Sequence, residues 1–555
     1  MPPESWADAG WPDRYRDRVF AERAGLLDAL PDVDTHQREV LDHLLAANAD
    51  THFGRAHGFH RIRSFDEYRR AVPIRTYAGL EPWIDRAAAG ERRVLTADDP
   101  AVFFTSSGST GAHKKIPVTP TFMRTVFFPF FYAAWAPLVE HFPDVLARPD
   151  AVLNLKHDPV SAPPTTASGK PHVGASQVDF GTAFGEPLSA EPGTAAPWAR
   201  LPVAVGDGEH LEKAYLRLRF AVEHDVRCVI GINPAMVAAL PRQLALWLPR
   251  LVRDVHDGAH GAAPNRRRAT ELTRLADRFG TVRPAHLWPN LKVLFCWTSG
   301  LAGLYLPRLR EEYGVGVTAL AAPVAASEGP VAVPLDRHPT AGPLVVNAAR
   351  YEFADADSAL GADTPTLDHH DLEPGREYHV VLSHVGGLYR YAVGDVVRVV
   401  DRVRGVPRVA YAGRSGTSDA VGEGLRESHV VSALGTALGT AGLEVRNATC
   451  RVAPDEVPHY EFAVEPLTPW SEAETRRFAA DLDASLARAA TGYRTARRTG
   501  RLGGARVVRL APHAFTTDWL ATVASGVRPS QAKDRVFRRD EESWRRLVDP
   551  DGGQP

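Results

Sequence analysis

A run of hydroxyl, glycine and lysine residues after two aromatic residues restricts the fold of this chain more than any other segment. Residues 103–119 read Phe-Phe-Thr-Ser-Ser-Gly-Ser-Thr-Gly-Ala-His-Lys-Lys-Ile-Pro-Val-Thr. The aromatic pair indicates the end of a strand, and the glycines allow a tight turn with exposed N–H groups. The hydroxyls and lysines add donors and positive charge, so the segment suits a polyphosphate. It lacks the Gly-x-x-x-x-Gly-Lys pattern, and the alternative is a flexible surface turn.

Length and charge limit the classes of protein. A chain of 555 residues is too long for one core, so we expect two or more domains. The net charge of −2 offers no global attraction for nucleic acid. We therefore predict no nucleic-acid partner, and any site for a polyanion has to be local.

The sequence also indicates the compartment. Cys228, Cys296 and Cys450 are far apart, which predicts a reducing, cytoplasmic location without a disulfide framework. The first residues lack the pattern of a signal peptide. The most apolar stretch, 127–139, is short and contains two prolines, so we expect a buried or ligand-lining helix and no membrane span. Abundant arginine and alanine with few lysines suggest a bacterial genome of high GC content.

Alternating helical and strand patterns predict an α/β fold. Helical spacing covers 33–47, 210–223 and 236–251, and buried-strand patterns cover 226–231 and 291–297. The second strand ends in Thr298-Ser299-Gly300, and ligands bind at strand ends in such folds. The intervening segment 147–201 is rich in Pro, Ala and Gly and predicts a long surface excursion or partial disorder.

The pattern changes near residue 376. Alternation over 378–383 predicts an antiparallel or edge strand. The segment 386–395 predicts a turn into the apolar strand 396–400, so that Asp395 stands at a strand start. A polar, glycine-bearing linker follows at 413–419. We place a domain boundary near 417, which gives domains 1–417 and 418–555.

Several charged residues are candidate ligands, each with a structural alternative. Glu328, after an apolar stretch, suits Mg²⁺, or it begins a helix. Asp395 suits the ribose hydroxyls of a nucleotide, or it belongs to an ordinary turn. Arg414 and Lys533 suit phosphate, or they are solvated surface charges. Taken singly, Glu328 and Asp395 favour the structural alternative.

A histidine pair is a further candidate. Asp368-His369-His370-Asp371 has the residue types of a metal cluster, but neighbours on an extended chain point to opposite faces. The loop-like residues 373–375 that follow favour a polar turn.

Taken together and in order, these segments resemble one family. The chain is similar to the adenylate-forming superfamily, and within it to the auxin-responsive Gretchen Hagen family of acyl-acid amido synthetases. The likeness covers nearly the whole chain, and Gly387-Leu388-Tyr389-Arg390-Tyr391 with Gly394-Asp395 is its most specific string. The other matching segments are 51–59, 65–86, 90–91, 106–111, 231–234, 327–329 and 531–533.

The resemblance implies a fold and a reaction. The expected fold is α/β, with a large N-terminal adenylate-forming domain of mixed sheets and a barrel-like part, and a smaller, mobile α+β C-terminal domain. The expected enzyme is a ligase that forms a carbon–nitrogen bond. It uses ATP and Mg²⁺ to convert a carboxylic acid into an acyl-adenylate and pyrophosphate. An amine or amino acid then attacks the acyl carbon, and AMP leaves.

The resemblance also implies residue roles. Glu328 would hold Mg²⁺, Asp395 the ribose, and Arg414 would lie near the ribose or phosphates. Lys533 would swing in with the C-terminal domain and stabilise charge during adenylation, and the aromatic helix 122–135 would be either an acyl-pocket wall or core packing. Further residues expected to bind the nucleotide or line the acyl pocket are Ser106, Ser107, Gly108, Ser109, Thr110, Gly111, Lys114, Thr298, Ser299, Gly300 and Ser327.

Two positions depart from the family pattern. Residues 323–326 read Pro-Val-Ala-Ala, where relatives commonly have an aromatic residue that stacks on adenine. Gly424 stands where relatives commonly have a lysine. Either the loss of this cation slows the chemistry, or Arg426, Lys114 or Lys115 supplies the charge. The alternatives to an amide synthetase are an acyl-CoA ligase or carrier-thiol-loading enzyme, and a non-catalytic nucleotide- or acyl-binding protein. The sequence does not identify the acid, the amine or the oligomeric state, and it is compatible with a monomer.

Overall fold

The structure is a computed structural model that describes residues 10–107, 113–160, 162–188 and 191–549. The chain divides into two compact units. Unit 1 comprises Met1–Arg200 and Leu320–Tyr411, and unit 2 comprises Leu201–Ala319 and Ala412–Pro555. Residues 201–319 thus share a unit with the C-terminal region. The separately mobile domain 418–555 stays a prediction.

The α-helices lie mainly where the sequence has apolar residues at helical spacing. In chain order they are α1 (Trp11–Ala29), α2 (Val33–Asn48), α3 (His52–Ala56), α4 (Phe65–Ala71), α5 (Tyr77–Ala88), α6 (Pro120–Phe122), α7 (Phe128–Ala133), α8 (Ala136–His141), α9 (Phe180–Phe184), α10 (His210–Ala221), α11 (Pro234–Asp257), α12 (Arg266–Phe279), α13 (Pro284–Leu287), α14 (Leu306–Tyr313), α15 (Glu427–Ala441), α16 (Glu472–Ala489), α17 (Thr491–Arg498), α18 (Ala514–Ala524) and α19 (Glu541–Val548).

The strands are short except in the central part of the chain. In chain order they are β1 (Val102–Ser107), β2 (His113–Val118), β3 (Val152–Asn154), β4 (His172–Val173), β5 (Cys228–Ile230), β6 (Val293–Cys296), β7 (Thr318–Ala321), β8 (Val324–Ala326), β9 (Gly329–Ala332), β10 (Gly342–Pro343), β11 (Arg350–Asp355), β12 (Glu377–His384), β13 (Leu388–Val403), β14 (Val406–Arg414), β15 (Val445–Ala453), β16 (His459–Pro466) and β17 (Arg506–Arg509).

Unit 1 contains an antiparallel sheet with the strand order β10-β14-β13-β12-β11. β12 is antiparallel to both of its neighbours, as the alternation over 378–383 predicts, but it is an interior strand and not an edge strand. Nearly all of its residues are buried. Strands β1 and β2 form a separate hairpin, and β4 adds to it in parallel.

The aromatic helix of unit 1 belongs largely to the core. It runs from α6 through a π-helical turn at Met123–Phe127 into α7. By length and composition, the stretch Pro120–His141 could cross a membrane, but 72% of its most apolar window is buried in the protein. That burial is typical of a core helix.

The sequence predicts a long surface excursion or partial disorder over 147–201. In the structure this segment contains the short elements β3, β4 and α9.

Unit 2 contains a mixed sheet in the order β15-β16-β17 and a parallel pair, β5 and β6. Helices α15 and α16 pack on the mixed sheet around a core that includes Phe462, Phe478 and Leu482, none of which is exposed. β5 and β6 lie inside the two segments predicted as buried strands. All three cysteines of the chain are buried and free.

Candidate functional site

The predicted phosphate loop lies, in sequence, between two antiparallel strands. β1 and β2 remain paired up to Ser107 and His113. Ser106 is opposite Lys114 in this pairing. The predicted ligands Gly108, Ser109, Thr110 and Gly111 lie outside the described residues. The structure therefore places the two ends of the loop, at Ser106 and Lys114.

Lys114, Glu328 and Tyr391 form a polar cluster in unit 1. The Nζ atom of Lys114 lies 3.2 Å from Glu328 Oε1 and donates to the Tyr391 hydroxyl at 3.2 Å. Tyr391 donates to the same Glu328 oxygen at 3.0 Å. Burial and the nearby carboxylate raise the pKa of Tyr391, so its hydroxyl stays a donor. The cluster joins the β1–β2 hairpin to the Ser-Glu-Gly and Gly-Leu-Tyr-Arg-Tyr segments.

The two lysines of the hairpin have different partners. Lys114 faces Glu328, whereas Lys115 Nζ lies 2.8 Å from Asp85 Oδ1 on α5. Successive side chains of a strand point to opposite faces, which explains the division. Lys114 is therefore the hairpin lysine that can meet a ligand of the Glu328 cluster.

Glu328 lies in a two-residue turn between β8 and β9, where Ala326 pairs with Gly329. The alternative that it begins a helix is wrong, because the apolar stretch continues as a hairpin. The Glu328 side chain is 5% exposed. Its backbone oxygen accepts a hydrogen bond from His384 Nε2 at 2.7 Å. The other ring nitrogen, Nδ1, accepts from Gly386 N, so His384 is a neutral imidazole that fixes the turn.

Asp395 lies within β13 and not at the start of a strand. The pairing of β12 with β13 shifts between Val381–Ala392 and His379–Val396, which makes a bulge around Gly394-Asp395. Gly394 has φ of 83°, a conformation that glycine adopts without strain. The strand therefore continues through the predicted turn, and Asp395 is half-buried beside it.

Arg390, in the most specific string of the sequence, has a structural role. Its Nε and Nη2 atoms donate to the two carboxylate oxygens of Glu352 at 2.9 and 2.8 Å. Its Nη1 donates to the backbone oxygens of Arg69 and Val72. The side chains of Arg390 and Glu352 are 5% and 1% exposed. The string thus combines a buried ion pair with the site residue Tyr391.

In unit 2, Thr298, Ser299 and Gly300 follow β6, at the strand end where the sequence predicts them. Thr298 is buried, and Gly300 has φ of 62°. The residue before them, Trp297, lies under the ammonium group of Lys533, with 4.5 Å between Nζ and the ring centroid. The exposed Lys533 therefore lies over the end of β6.

The segment before Lys533 is anchored by Asn233 and Trp519. Asn233 Nδ2 donates to the backbone oxygens of Pro529 and Ala532, at 3.2 and 2.9 Å. Trp519 Nε1 also donates to the Ala532 oxygen, at 2.9 Å. Asn233 in addition caps α11, since its side-chain oxygen accepts from Ala235 N. Two family-like segments that are far apart in sequence are thereby connected.

The segment 412–427 contains the predicted ligand Arg414 and the two positions considered for the missing family lysine, Gly424 and Arg426. Arg414 is exposed at the end of β14, and its backbone N–H donates to Glu427 Oε2 at 3.0 Å. Gly424 has φ of 55°, so a lysine there would adopt a strained conformation. Arg426 is 8% exposed and its guanidinium contacts His429 Nε2 at 2.9 Å.

The structure adds residues to which the sequence assigns no role. Tyr391 completes the Glu328 cluster, and Tyr77 accepts from the backbone N–H of Lys115 at 2.9 Å. Asn233 holds the backbone next to Lys533, and the Trp297 ring lies under the ammonium group of Lys533. Tyr391 and Asn233 both lie within family-like segments, which is the signal that could have identified them.

Three models of protein-family domains match the chain. A sequence model of the GH3 (Gretchen Hagen) family N-terminal domain matches residues 23–317, more than half of the chain. The chain belongs to the GH3 family. The GH3 family central domain matches residues 342–414, and the GH3 family C-terminal domain matches residues 428–542.

Two curated relatives of this GH3 protein come from plants. It is 28% identical over 437 residues to the probable indole-3-acetic acid-amido synthetase GH3.12 of Oryza sativa subsp. japonica, with 68% of each chain covered. It is 23% identical over 424 residues to the indole-3-acetic acid-amido synthetase GH3.6 of Arabidopsis thaliana, with 69% of this chain and 68% of the relative covered.

A solved structure supports the fold. The structure "AtGH3.15 acyl acid amido synthetase in complex with 2,4-DB" aligns with a TM-score of 0.78 at 21% identity, covering 95% of each chain. The predictions of an α/β fold and of the Gretchen Hagen family are confirmed. The predicted activity, a ligase that forms a carbon–nitrogen bond, agrees with the names of the curated relatives.

Proposed function

We propose that this GH3 protein is an ATP-dependent acyl-acid amido synthetase. It activates a small carboxylic acid as the acyl-adenylate and transfers the acyl group to an amine or amino acid. The observation that carries the proposal is the cluster of Lys114, Glu328 and Tyr391. Lys114 is paired with Ser106 beside the predicted phosphate loop. The two curated relatives, from Oryza sativa and Arabidopsis thaliana, are named amido synthetases. The cluster supplies a cation and a carboxylate at the predicted phosphate loop.

The chemistry requires charge neutralisation and alignment. A carboxylate is a poor acyl donor because its leaving group would be oxide, and attack on the α-phosphorus of ATP replaces oxide by AMP. We assign Ser106, Ser107, Gly108, Ser109, Thr110, Gly111 and Lys114 to the phosphates. Positioned donors and cations lower the barrier because they stabilise charge that develops on the phosphoryl group.

The donor set of Glu328 is compatible with Mg²⁺. Mg²⁺ in nucleotide enzymes commonly takes one or two carboxylates together with phosphate oxygens and waters. Lys114 and Tyr391 both contact Oε1 of Glu328, and we assign this carboxylate to the cation, with Ser327 as its neighbour in the turn. Bound there, Mg²⁺ would neutralise phosphate charge, while Tyr391 and Lys114 hold the carboxylate in place.

The remaining nucleotide and acyl roles are assigned by position. Asp395, half-buried at the β13 bulge, would accept the ribose hydroxyls, and Arg414 would lie near the ribose or phosphates. Thr298, Ser299 and Gly300 would line the nucleotide or acyl pocket. Phe128 and Phe130 are 2% and 3% exposed, which favours core packing for most of the aromatic helix.

Acid-dependent exchange between ATP and pyrophosphate is the experiment that tests this function. We expect exchange with at least one member of a panel of carboxylic acids, and its loss on chelation of Mg²⁺. With an accepted acid, amines and amino acids should release AMP faster than coenzyme A does. A preference for the thiol would indicate an acyl-CoA ligase, and no exchange across the panel would indicate a non-catalytic binding protein.

Asp395→Ala is expected to weaken ATP binding by about tenfold or more, since a hydrogen bond to a charged group contributes about 1.5–3 kcal/mol. The measurement is the ATP dissociation constant by calorimetry. Asp363→Ala is the control, because this aspartate of the same unit is exposed. Unchanged ATP affinity in Asp395→Ala would contradict the ribose assignment.

The cellular setting is part of the proposal. The abundance of arginine and the scarcity of lysine support a bacterial source, and the buried free cysteines are compatible with the cytoplasm. A bacterial member of a family of acid–amine ligases suits secondary metabolism.

A further inference from the structure

A histidine pair of unit 1 lies against an aspartate from a distant helix. His369 and His370 belong to a 3-10 turn, His369–Asp371, and their ring centroids are 3.8 Å apart. Because the turn is not extended, neighbouring side chains do not point to opposite faces. Asp34, in the first turn of α2, lies 2.9 Å from His370 Nε2 and 3.6 Å from His369 Nε2.

We propose that Asp34, His369 and His370 form a binding site for a divalent transition-metal ion of the zinc class. Two imidazoles and one carboxylate are a donor set that zinc binds, with a fourth position left for water. The three donor atoms all lie within 4.8 Å of one another, and no other group of this kind occurs in the described part of the chain. Ligand atoms on tetrahedral zinc are about 3.3 Å apart, given bonds of about 2.0–2.1 Å, so small side-chain rotations complete the geometry.

The state of His369 is an independent observation that points to a ligand. Its side chain is 5% exposed, and Nε2 is buried without a hydrogen-bond partner among the described residues. A buried polar atom without a partner is costly, and a metal ion would satisfy it.

The surroundings hold the turn in place and leave an entry path. Arg402 Nη2 donates to the backbone oxygens of His369, His370 and Leu372, at 3.1, 3.1 and 2.8 Å. Arg350 Nη2 donates to Asp368 Oδ1 at 2.5 Å. The guanidinium groups of Arg402 and Arg350 therefore both donate to oxygen atoms that are not proposed ligands. The side chains of Asp34 and His370 are 62% and 59% exposed, which gives an ion access from solvent.

Zinc titration of the untagged full chain, stripped with chelator, tests the site. We expect one bound Zn²⁺ whose affinity falls by at least about tenfold in Asp34→Ala and in His370→Ala, since even outer-shell changes cost about 10–100-fold. Both residues are exposed, so the variants should fold. Zn²⁺ should also raise the thermal midpoint of the parent chain and leave that of the two variants unchanged.

His60→Ala is the matched control. His60 Nε2 lies 3.2 Å from Asp50 Oδ1, and its side chain has a similar exposure of 58%. Within the described part of the chain, no third metal-binding group joins this pair. We expect unchanged zinc affinity in His60→Ala. Parent-like affinity in both site variants, or an equal loss in His60→Ala, would overturn the proposal. The experiment measures zinc binding and not ligase activity. A failure of the zinc proposal is therefore distinct from a failure of the proposed function.

Discussion

Lys533→Ala is expected to slow acid-dependent pyrophosphate exchange by about 100- to 1,000-fold, the usual effect of removing one group that stabilises charge in a transition state. Attack of an amine on preformed acyl-adenylate should change by less than about threefold. Negative charge builds up on the phosphoryl group during adenylation, whereas in the second step the amine attacks the acyl carbon and AMP leaves. The ammonium group of Lys533 therefore matters mainly for the first step.

The position of Lys533 makes this a clean test. The side chain is exposed, so its removal leaves the fold intact. Its backbone is held through the Ala532 oxygen by Asn233 and Trp519, so Asn233→Ala should reproduce part of the defect by loosening the segment. Asn233 acts as a positioning residue. Its variant should therefore keep the division between the two half-reactions.

Lys292→Ala is the control for loss of a lysine. It removes an exposed lysine of the same unit and should leave both half-reactions at parent rates. Single-turnover measurements with purified acyl-adenylate separate the steps. An equal loss of rate in both steps for Lys533→Ala would refute the assignment of Lys533 to adenylation.

The features that the sequence predicts correctly are local ones. The strand before the phosphate loop, the helix at 210–223 and the alternating strand at 378–383 follow from short-range patterns of side chains. The location of Glu328 was harder to predict. An apolar stretch followed by Ser-Glu-Gly is compatible with a helix start or a hairpin, and its pairing with β9 decides between them.

The parts of the site that were not predicted depend on contacts between distant segments. Lys114, Glu328 and Tyr391 come from three separate strands or turns, and the sequence offers no measure of their distance. The same holds for Asn233 and the carbonyl of Ala532. Asp395 illustrates a different limit. Glycine before an aspartate indicates a turn, but here the positive φ of Gly394 is used by a bulge that keeps the strand intact.

The second large effect concerns stability. Arg390→Met or Glu352→Gln should lower the free energy of unfolding by about 3–5 kcal/mol, because each breaks a buried bidentate ion pair. Arg69 Nε, 3.3 Å from Glu352 Oε2, makes up only part of the loss in Arg390→Met. The pair is bidentate and nearly unexposed, and Arg390 also donates to two backbone oxygens near α4. Lysine cannot replace both arms of the guanidinium group, so Arg390→Lys should recover only part of the loss.

A control in the same strand separates burial from charge. Arg398 donates to Glu377 at 2.6 Å on the sheet formed by β12 and β13, and its side chain is 45% exposed. Arg398→Met should therefore cost at most about 1 kcal/mol. Urea unfolding of the parent, Arg390→Met and Arg398→Met measures the difference. The free energies of unfolding are compared with a common dependence on urea concentration. If Arg390→Met costs no more than Arg398→Met, the ion pair is not what stabilises this segment. If Arg390→Met abolishes pyrophosphate exchange at a temperature where the variant remains folded, Arg390 acts in the reaction and not only in the fold.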